Sequence, residues 1–134
     1  MNRSRYAVVL ALTAALAAAP AAAAEPNAAV LNARQVRALR CRCCGKSGLD
    51  PRFERLLDRL QHAWPAELRF TSGVRCPAHN ARVGGVKNSR HLRGQAADAA
   101  MPARFQRVFC ALARRFGFRR VLPDARRQYV HLSL

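Results

Sequence analysis

Residues 72–98 read SGVRCPAHNARVGGVKNSRHLRGQAAD and join two predicted strands. The part between the strands is polar and rich in Gly, Asn, Ser and His, and a loop of that length in a compact domain is usually functional. Asp98 lies among alanines in the second strand, Gln95 to Ala100, where an ionised carboxylate needs a partner. A metal cation held by His91 and Asp98 would supply that partner.

A third candidate ligand, His131, lies in the last predicted strand. Neighbouring strands of a small sheet can bring it beside Asp98. Two imidazoles and one carboxylate suit zinc, with a fourth position left open to water. The simpler interpretation is a solvated loop residue at His91, an Asp98 paired with one of many arginines, and an ordinary strand residue at His131.

Apolar residues at helical spacing predict three helices, two before this segment and one after it. The first covers Asn27 to Arg40. The second begins at an Asp50 cap and ends at Pro65, and the third follows Pro102 and stops at Gly117. The side chains expected on the buried helix faces are Val30, Leu31, Val36, Leu39, Phe53, Leu56, Leu57, Leu60, Trp64, Phe105, Val108, Phe109, Leu112 and Phe116. We expect the other Phe residues to lie in the core as well.

The rest of the pattern predicts four short strands and one helical turn. They are strands at Leu68–Ser72, Gln95–Ala100, Arg119–Leu122 and Gln128–Leu132, and a turn of helix near His79–Val83. The last two strands form a terminal hairpin around Pro123 and Asp124. A chain of 134 residues has room for one core. The prediction is a small single α+β domain with a central antiparallel sheet flanked by helices.

Residues 1–24 have the pattern of a secretory signal peptide. A basic start precedes an apolar stretch over Tyr6–Ala19, and small residues after Pro20 form a cleavage region. Cleavage after Ala24 leaves residues 25–134 as the mature domain, so we expect a secreted or periplasmic protein. The alternative is an uncleaved membrane anchor, which weakly hydrophobic alanines and Pro20 disfavour.

Five cysteines follow the predicted signal peptide, at Cys41, Cys43, Cys44, Cys76 and Cys110. In an oxidising compartment they favour two disulfides and one leftover thiol, with the pairing undetermined. The alternative is a structural zinc site that begins in the Cys-Arg-Cys-Cys cluster and is completed by Cys76 and Cys110.

The formal net charge is +17, from 24 Lys and Arg against seven acids. Such a charge favours polyanions or anionic surfaces as partners, although coding bias toward Arg explains it equally well. An export signal and the absence of a recognisable nucleic-acid motif argue against binding to nucleic acid. We therefore expect no nucleic-acid partner.

The segment 72–98 strongly resembles the zinc D-Ala-D-Ala carboxypeptidase family. That family also includes vancomycin-resistance dipeptidases and phage L-alanyl-D-glutamate endolysins. The resemblance is close over these residues and looser over residues 41–132. The family's SxHxxGxAxD element is present as Ser89, His91, Gly94, Ala96 and Asp98. The resemblance implies a Hedgehog/DD-peptidase-like fold.

The resemblance also implies roles for individual residues. His91, Asp98 and His131 are the implied zinc ligands, and Arg75 of the SGxR element would contact substrate or the developing oxyanion. In well-characterised members an acid three residues before the last histidine takes the water proton, but here that position is Gln128, whose amide cannot. Many relatives also have an acid two residues after that histidine, where this chain has Ser133.

The implied activity is hydrolysis of peptide bonds in peptidoglycan stem peptides by an exported, monomeric zinc peptidase. Carboxylates of such stems suit a basic surface. The alternative is a catalytically impaired, zinc-bound module that binds the cell wall, because Gln128 replaces the usual acid.

Other residues have weaker claims to a role. The nearest other carboxylate in sequence is Asp124, whose simpler interpretation is a turn residue, while Glu67 and Glu54 are remote. We expect His79 to orient the loop rather than to bind metal.

Overall fold

The computed structural model describes residues 31–134, which contain four helices, one 3₁₀ turn and four strands. The helices are α1 Ala33–Ala38, α2 Pro51–Ala63, α3 Pro77–Arg82 and α4 Ala103–Phe116, with the 3₁₀ turn at Arg90–Arg93. The strands are β1 Arg69–Ser72, β2 Ala96–Ala100, β3 Arg120–Asp124 and β4 Tyr129–Ser133. The predicted signal peptide lies outside the described residues. Within residues 31–134, every helix is too short or too polar to span a bilayer.

The four strands form one antiparallel sheet in the order β1-β2-β4-β3. Side chains alternate between the two faces of a strand. Ala97 and Ala99 of β2 and Val130 of β4 therefore enter the core, while Asp98 and His131 project from the opposite face. The α+β architecture with a central antiparallel sheet is confirmed.

Helix α2 begins where the sequence predicts. The Asp50 carboxylate accepts hydrogen bonds from the backbone N–H groups of Arg52 and Phe53, at 2.9 and 3.4 Å, and Pro51 occupies the first helical position. The buried face consists of the predicted Phe53, Leu56, Leu57 and Leu60. This face packs on α4, where Phe109 meets the Trp64 ring edge-on at 5.1 Å between centroids.

Helix α1 is shorter than predicted, and its buried face contains Gln35 instead of the predicted Val36. Asn32 caps it through a reciprocal pair of hydrogen bonds with Gln35, so the described helix starts at Ala33. Val36 is 41% exposed, whereas Gln35 is buried and its Nε2 donates to Gln61 and to the Leu68 carbonyl. The predicted Leu31 and Leu39 are buried in the core, but the prediction for Val36 is wrong because Gln35 takes the inward position, where hydrogen bonds satisfy its amide. The part predicted before Leu31 lies outside the described residues.

Helix α4 also differs from its predicted face. Phe105 is exposed and Val108 is 63% exposed, while Gln106, Cys110 and Ala113 are buried with Phe109. Gln106 takes an inward position because its Nε2 donates to the Met101 and Asp124 carbonyls, at 3.0 and 2.9 Å. A buried amide with several backbone acceptors thus occupies a position that the apolar pattern assigns to the surface.

The terminal hairpin is longer than predicted. Pro123 and Asp124 lie inside β3 rather than in the turn, which occupies residues 125–128. Proline is tolerated because β3 is an edge strand, where its missing N–H leaves no ladder bond unmade. This extension of β3 carries Asp124 onto the sheet.

Gly94 lies where the loop closely approaches the start of α2. Its φ is +67°, its carbonyl accepts from the Asp50 N–H at 2.9 Å, and a Cβ there would overlap the Gly48 carbonyl. Gly84 has nearly the same φ, +69°, with open space around it. Alanine in this conformation costs about 1–2 kcal/mol at either position. We expect Gly94→Ala to lower the free energy of unfolding by about 1–3 kcal/mol more than Gly84→Ala because of the overlap. Urea denaturation measures both, and equal losses would contradict the close approach.

Candidate metal centre

Strand register and the 3₁₀ turn bring three polar side chains together on the sheet face opposite the core. β2 pairs Asp98 directly with His131 of β4, and His131 Nδ1 lies 2.9 Å from Asp98 Oδ1. The 3₁₀ turn places His91 over the same face, with Nε2 3.6 Å from Asp98 Oδ2. One donor atom from each residue lies within 4.8 Å of the others. The structure thus brings the three predicted ligands together.

His91 is held in one tautomer by the backbone. The ring is buried, and its Nδ1 lies 2.7 Å from the Gly73 carbonyl. Because a carbonyl only accepts, Nδ1 carries a proton, and Nε2 is the nitrogen that faces Asp98. Position 73 requires glycine because a Cβ there would overlap the Leu39 carbonyl. A backbone acceptor on the far nitrogen is the usual support of a metal-binding histidine.

Asp98 is a buried carboxylate that stays ionised. Burial by itself would raise its pKa, but the hydrogen bond from His131 and the bond and charge of His91 outweigh burial and hold the pKa far below its usual range. Arg75 Nη2 donates to Asp98 Oδ2 at 3.1 Å. Two imidazole nitrogens and an ionised carboxylate fit a zinc site with an open position.

The three candidate ligands line an open, polar cavity of about 440 Å³, the metal-facing cavity. Cationic side chains also line it, namely Arg75, Arg90 and Arg120. Among residues 31–134, neither Arg90 nor Arg120 takes part in an ion pair. Arg90 Nη1 donates to Gln95 Oε1 at 2.9 Å, so the remaining N–H groups of Arg90 and those of Arg120 can bind an anionic ligand in the cavity.

Gln128 lies away from these donors. Its Oε1 accepts from the Ala103 N–H at 3.1 Å, and its Nε2 donates to the Ala125 carbonyl at 2.6 Å. The residue has φ +56° and lines a separate, largely apolar cavity that includes Trp64 and Met101. Within the described chain, Gln128 joins the hairpin turn to the start of α4 and does not line the metal-facing cavity.

Asp124, which the sequence pattern predicts to be a turn residue, is a carboxylate close to the candidate ligands. It pairs with Tyr129, two residues along the hairpin from the Leu122–His131 pair, so it shares the sheet face of His131. It lines the metal-facing cavity, which neither Glu54 nor Glu67 does. Its Oδ1 also accepts from the Arg127 N–H at 2.9 Å, so it has the predicted turn role as well. Extending the strand pattern past Pro123 would have revealed this position.

Ser133 occupies the position where many relatives have an acid. It is fully buried and lines the same cavity. Because a serine hydroxyl is not ionised near neutral pH, it adds no charge to the site.

A family model described as Peptidase M15 matches residues 32–133. The match covers nearly all of the described chain and contains every residue of the candidate site. No curated protein matches the chain.

The metal assignment predicts the zinc content of single variants. We expect His91→Ala and Asp98→Ala each to lose one zinc ion per chain, because the remaining two donors bind too weakly to retain it. Asp98→Ala should also lower the melting temperature, since Arg75 then stays largely buried without its partner. Elemental analysis after gel filtration measures zinc, with His62→Ala, an exposed histidine of α2, as control. Unchanged zinc in the His91 variant would reject the site.

Proposed function

The chain belongs to the peptidase M15 family of zinc D-Ala-D-Ala carboxypeptidases, and from this premise we propose that it hydrolyses peptide bonds of peptidoglycan stem peptides. The observation that carries the proposal is the convergence of His91, Asp98 and His131 on one open cavity. We further propose that the protein is exported and acts as a monomer. The predicted signal peptide supports export.

The donor set supports zinc as the cofactor. When bound, zinc supplies a Lewis acid that polarises the scissile carbonyl and lowers the pKa of water toward neutrality. His91 and His131 offer neutral nitrogens, while Asp98 offsets part of the positive charge of the ion. The backbone contact to Gly73 orients His91 before metal arrives.

Substrate binding is assigned to the cationic wall of the cavity. Arg90 and Arg120 can pair with the terminal carboxylate of a stem peptide, because guanidinium groups bind carboxylates in a planar, two-point geometry. This wall favours cleavage next to a free carboxyl end, which is the carboxypeptidase reaction.

Arg75 is placed to stabilise charge that develops on the scissile carbonyl oxygen. Its Nη2 donates to Asp98 and its Nε donates to Ser72 at 3.0 Å. A guanidinium has five N–H groups, so three remain for the substrate. The two protein contacts orient the group in advance, which is the requirement for oxyanion stabilisation.

We assign the general base to Asp124. Gln128 has no basic atom and its amide is engaged at the turn, whereas the Asp124 carboxylate lines the cavity that contains the donors. A carboxylate there can accept a proton from the attacking water and pass it to the leaving amine. Asp124 would thus replace the acid that relatives have at the position of Gln128.

A second candidate function is a zinc-bound cell-wall binding module without turnover. The presence of Gln128 at the base position favours it. Incubating the purified chain and zinc with pentapeptide stems distinguishes the two functions. A released product detected by mass spectrometry, abolished by a chelator, supports the peptidase. Bound metal and bound stem peptide without any product would establish the binding module instead.

The base assignment predicts a large loss of turnover on neutralising one carboxylate. We expect Asp124→Asn to lower kcat by about 10²–10⁴-fold with zinc content unchanged, because a positioned base contributes that much to hydrolysis. Glu67→Gln, at an exposed carboxylate outside the cavity, is the matched control and should keep full activity. Equal kcat values for the wild type and the Asp124 variant would exclude Asp124 as the base.

A further inference from the structure

Four cysteines form a second cluster of metal-binding atoms. Each Sγ atom of Cys41, Cys43, Cys44 and Cys76 lies within 4.8 Å of the other three. The Cys41–Cys43 and Cys43–Cys76 sulfurs are 3.6 and 3.2 Å apart. Cys110, which the sequence placed in a possible zinc site, lies instead in the hydrophobic core. That part of the prediction is wrong because α4 turns Cys110 inward, beside Phe109.

The sulfur spacing fits a shared ion better than disulfides. A tetrahedral zinc ion with Zn–S bonds of about 2.3 Å separates its sulfurs by about 3.8 Å. A disulfide requires about 2.05 Å, and every cysteine among the described residues is free. The disulfides favoured from the sequence are thus not formed in the structure. The sulfurs of Cys41 and Cys76 both lie close to the sulfur of Cys43, an arrangement that a shared ion explains and that unlinked thiols do not need.

Hydrogen bonds favour the thiolate forms of Cys41 and Cys76. The Cys76 N–H donates to Cys41 Sγ and the His79 N–H donates to Cys76 Sγ, each at 3.4 Å. His79 Nδ1 lies 3.3 Å from Cys41 Sγ, so the ring can donate to that sulfur. Arg40, Arg42 and Lys46 lie beside three of these cysteines in the sequence and add positive charge to the same part of the chain.

We propose that Cys41, Cys43, Cys44 and Cys76 bind a second zinc ion with a structural role. Four protein ligands leave no open coordination position, which is the mark of a structural rather than a catalytic site. His79 supports Cys41 from outside this ligand set. This site is separate from the His91, Asp98 and His131 centre and does not depend on the proposed peptidase activity.

The location of the cluster explains what the second ion does. It ties the loop after α1 to Cys76, which directly follows Arg75. The Val74 N–H donates to Leu39 at 2.8 Å, and the Arg75 N–H donates to His91 at 3.0 Å. The ion therefore stabilises the short segment, residues 73–76, that orients His91 and carries Arg75.

The ligand set is tested first without mutating a cysteine. Zinc-edge X-ray absorption is measured on the zinc-loaded chain and on its His91→Ala variant. We expect the variant to retain one zinc ion, with scattering from sulfur alone at about 2.3 Å. A zinc-free variant, or a spectrum containing only nitrogen and oxygen ligands, would overturn the proposal. Absence of peptide hydrolysis would leave this result unaffected.

Cysteine variants identify the ligands individually. Cys43→Ser and Cys76→Ser should each lose one zinc ion per chain, as measured by elemental analysis, while the centre at His91 keeps its own. Cys110→Ala is the matched control and should retain both ions, because Cys110 lies outside the cluster. His79→Ala should also retain both.

Oxidation is the competing outcome. Mass spectrometry of the intact chain, after rapid alkylation in denaturant, counts the free thiols. We expect zinc removal by a chelator to be needed before oxidant can join these cysteines. Disulfides among the four cysteines in zinc-saturated protein would overturn the proposal. Each disulfide would appear as two cysteines that are not alkylated and a mass lower by two hydrogens.

Discussion

The buried carboxylate of Asp98 is the group on which the site depends. An ionised acid in the interior is stable only when charges and hydrogen bonds surround it, and here Arg75 and His131 donate to it while His91 lies close by. These partners come from three parts of the chain. The requirement to satisfy one acid therefore holds a loop, a 3₁₀ turn and the last strand in a single arrangement, which is also an arrangement that zinc can use.

The segment from Gly73 to Cys76 connects this centre to the cysteine cluster. Each of its residues contributes through a different atom: the Gly73 carbonyl accepts from His91, the Val74 N–H donates to Leu39, the Arg75 side chain reaches Asp98, and Cys76 joins the other sulfurs. A segment with so many fixed contacts needs little regular secondary structure. The proposed second ion would stabilise it where a domain of this size has few core residues to spare.

The hairpin places a carboxylate on the wall of the cavity although Gln128 is not acidic. With Gln128 at the turn, the amide satisfies backbone groups of Ala103 and Ala125 and contributes to stability. The extended β3 strand carries the Asp124 carboxylate to the cavity wall instead. The proposed base lies on the sheet because β3 ends two residues later than its sequence pattern predicts.

Local sequence determined α2 and two of the three metal-facing residues. The Asp50 cap, Pro51 and the helical spacing act over neighbouring residues, and the SxHxxGxAxD element places His91 and Asp98 within one short stretch. Tertiary structure decided the rest: the register that sets His131 against Asp98, the inward amide of Gln35, and the meeting of Cys76 with the earlier cysteines. These features join residues far apart in the chain, so they depend on strand pairing and on buried polar groups finding partners, which no local pattern encodes.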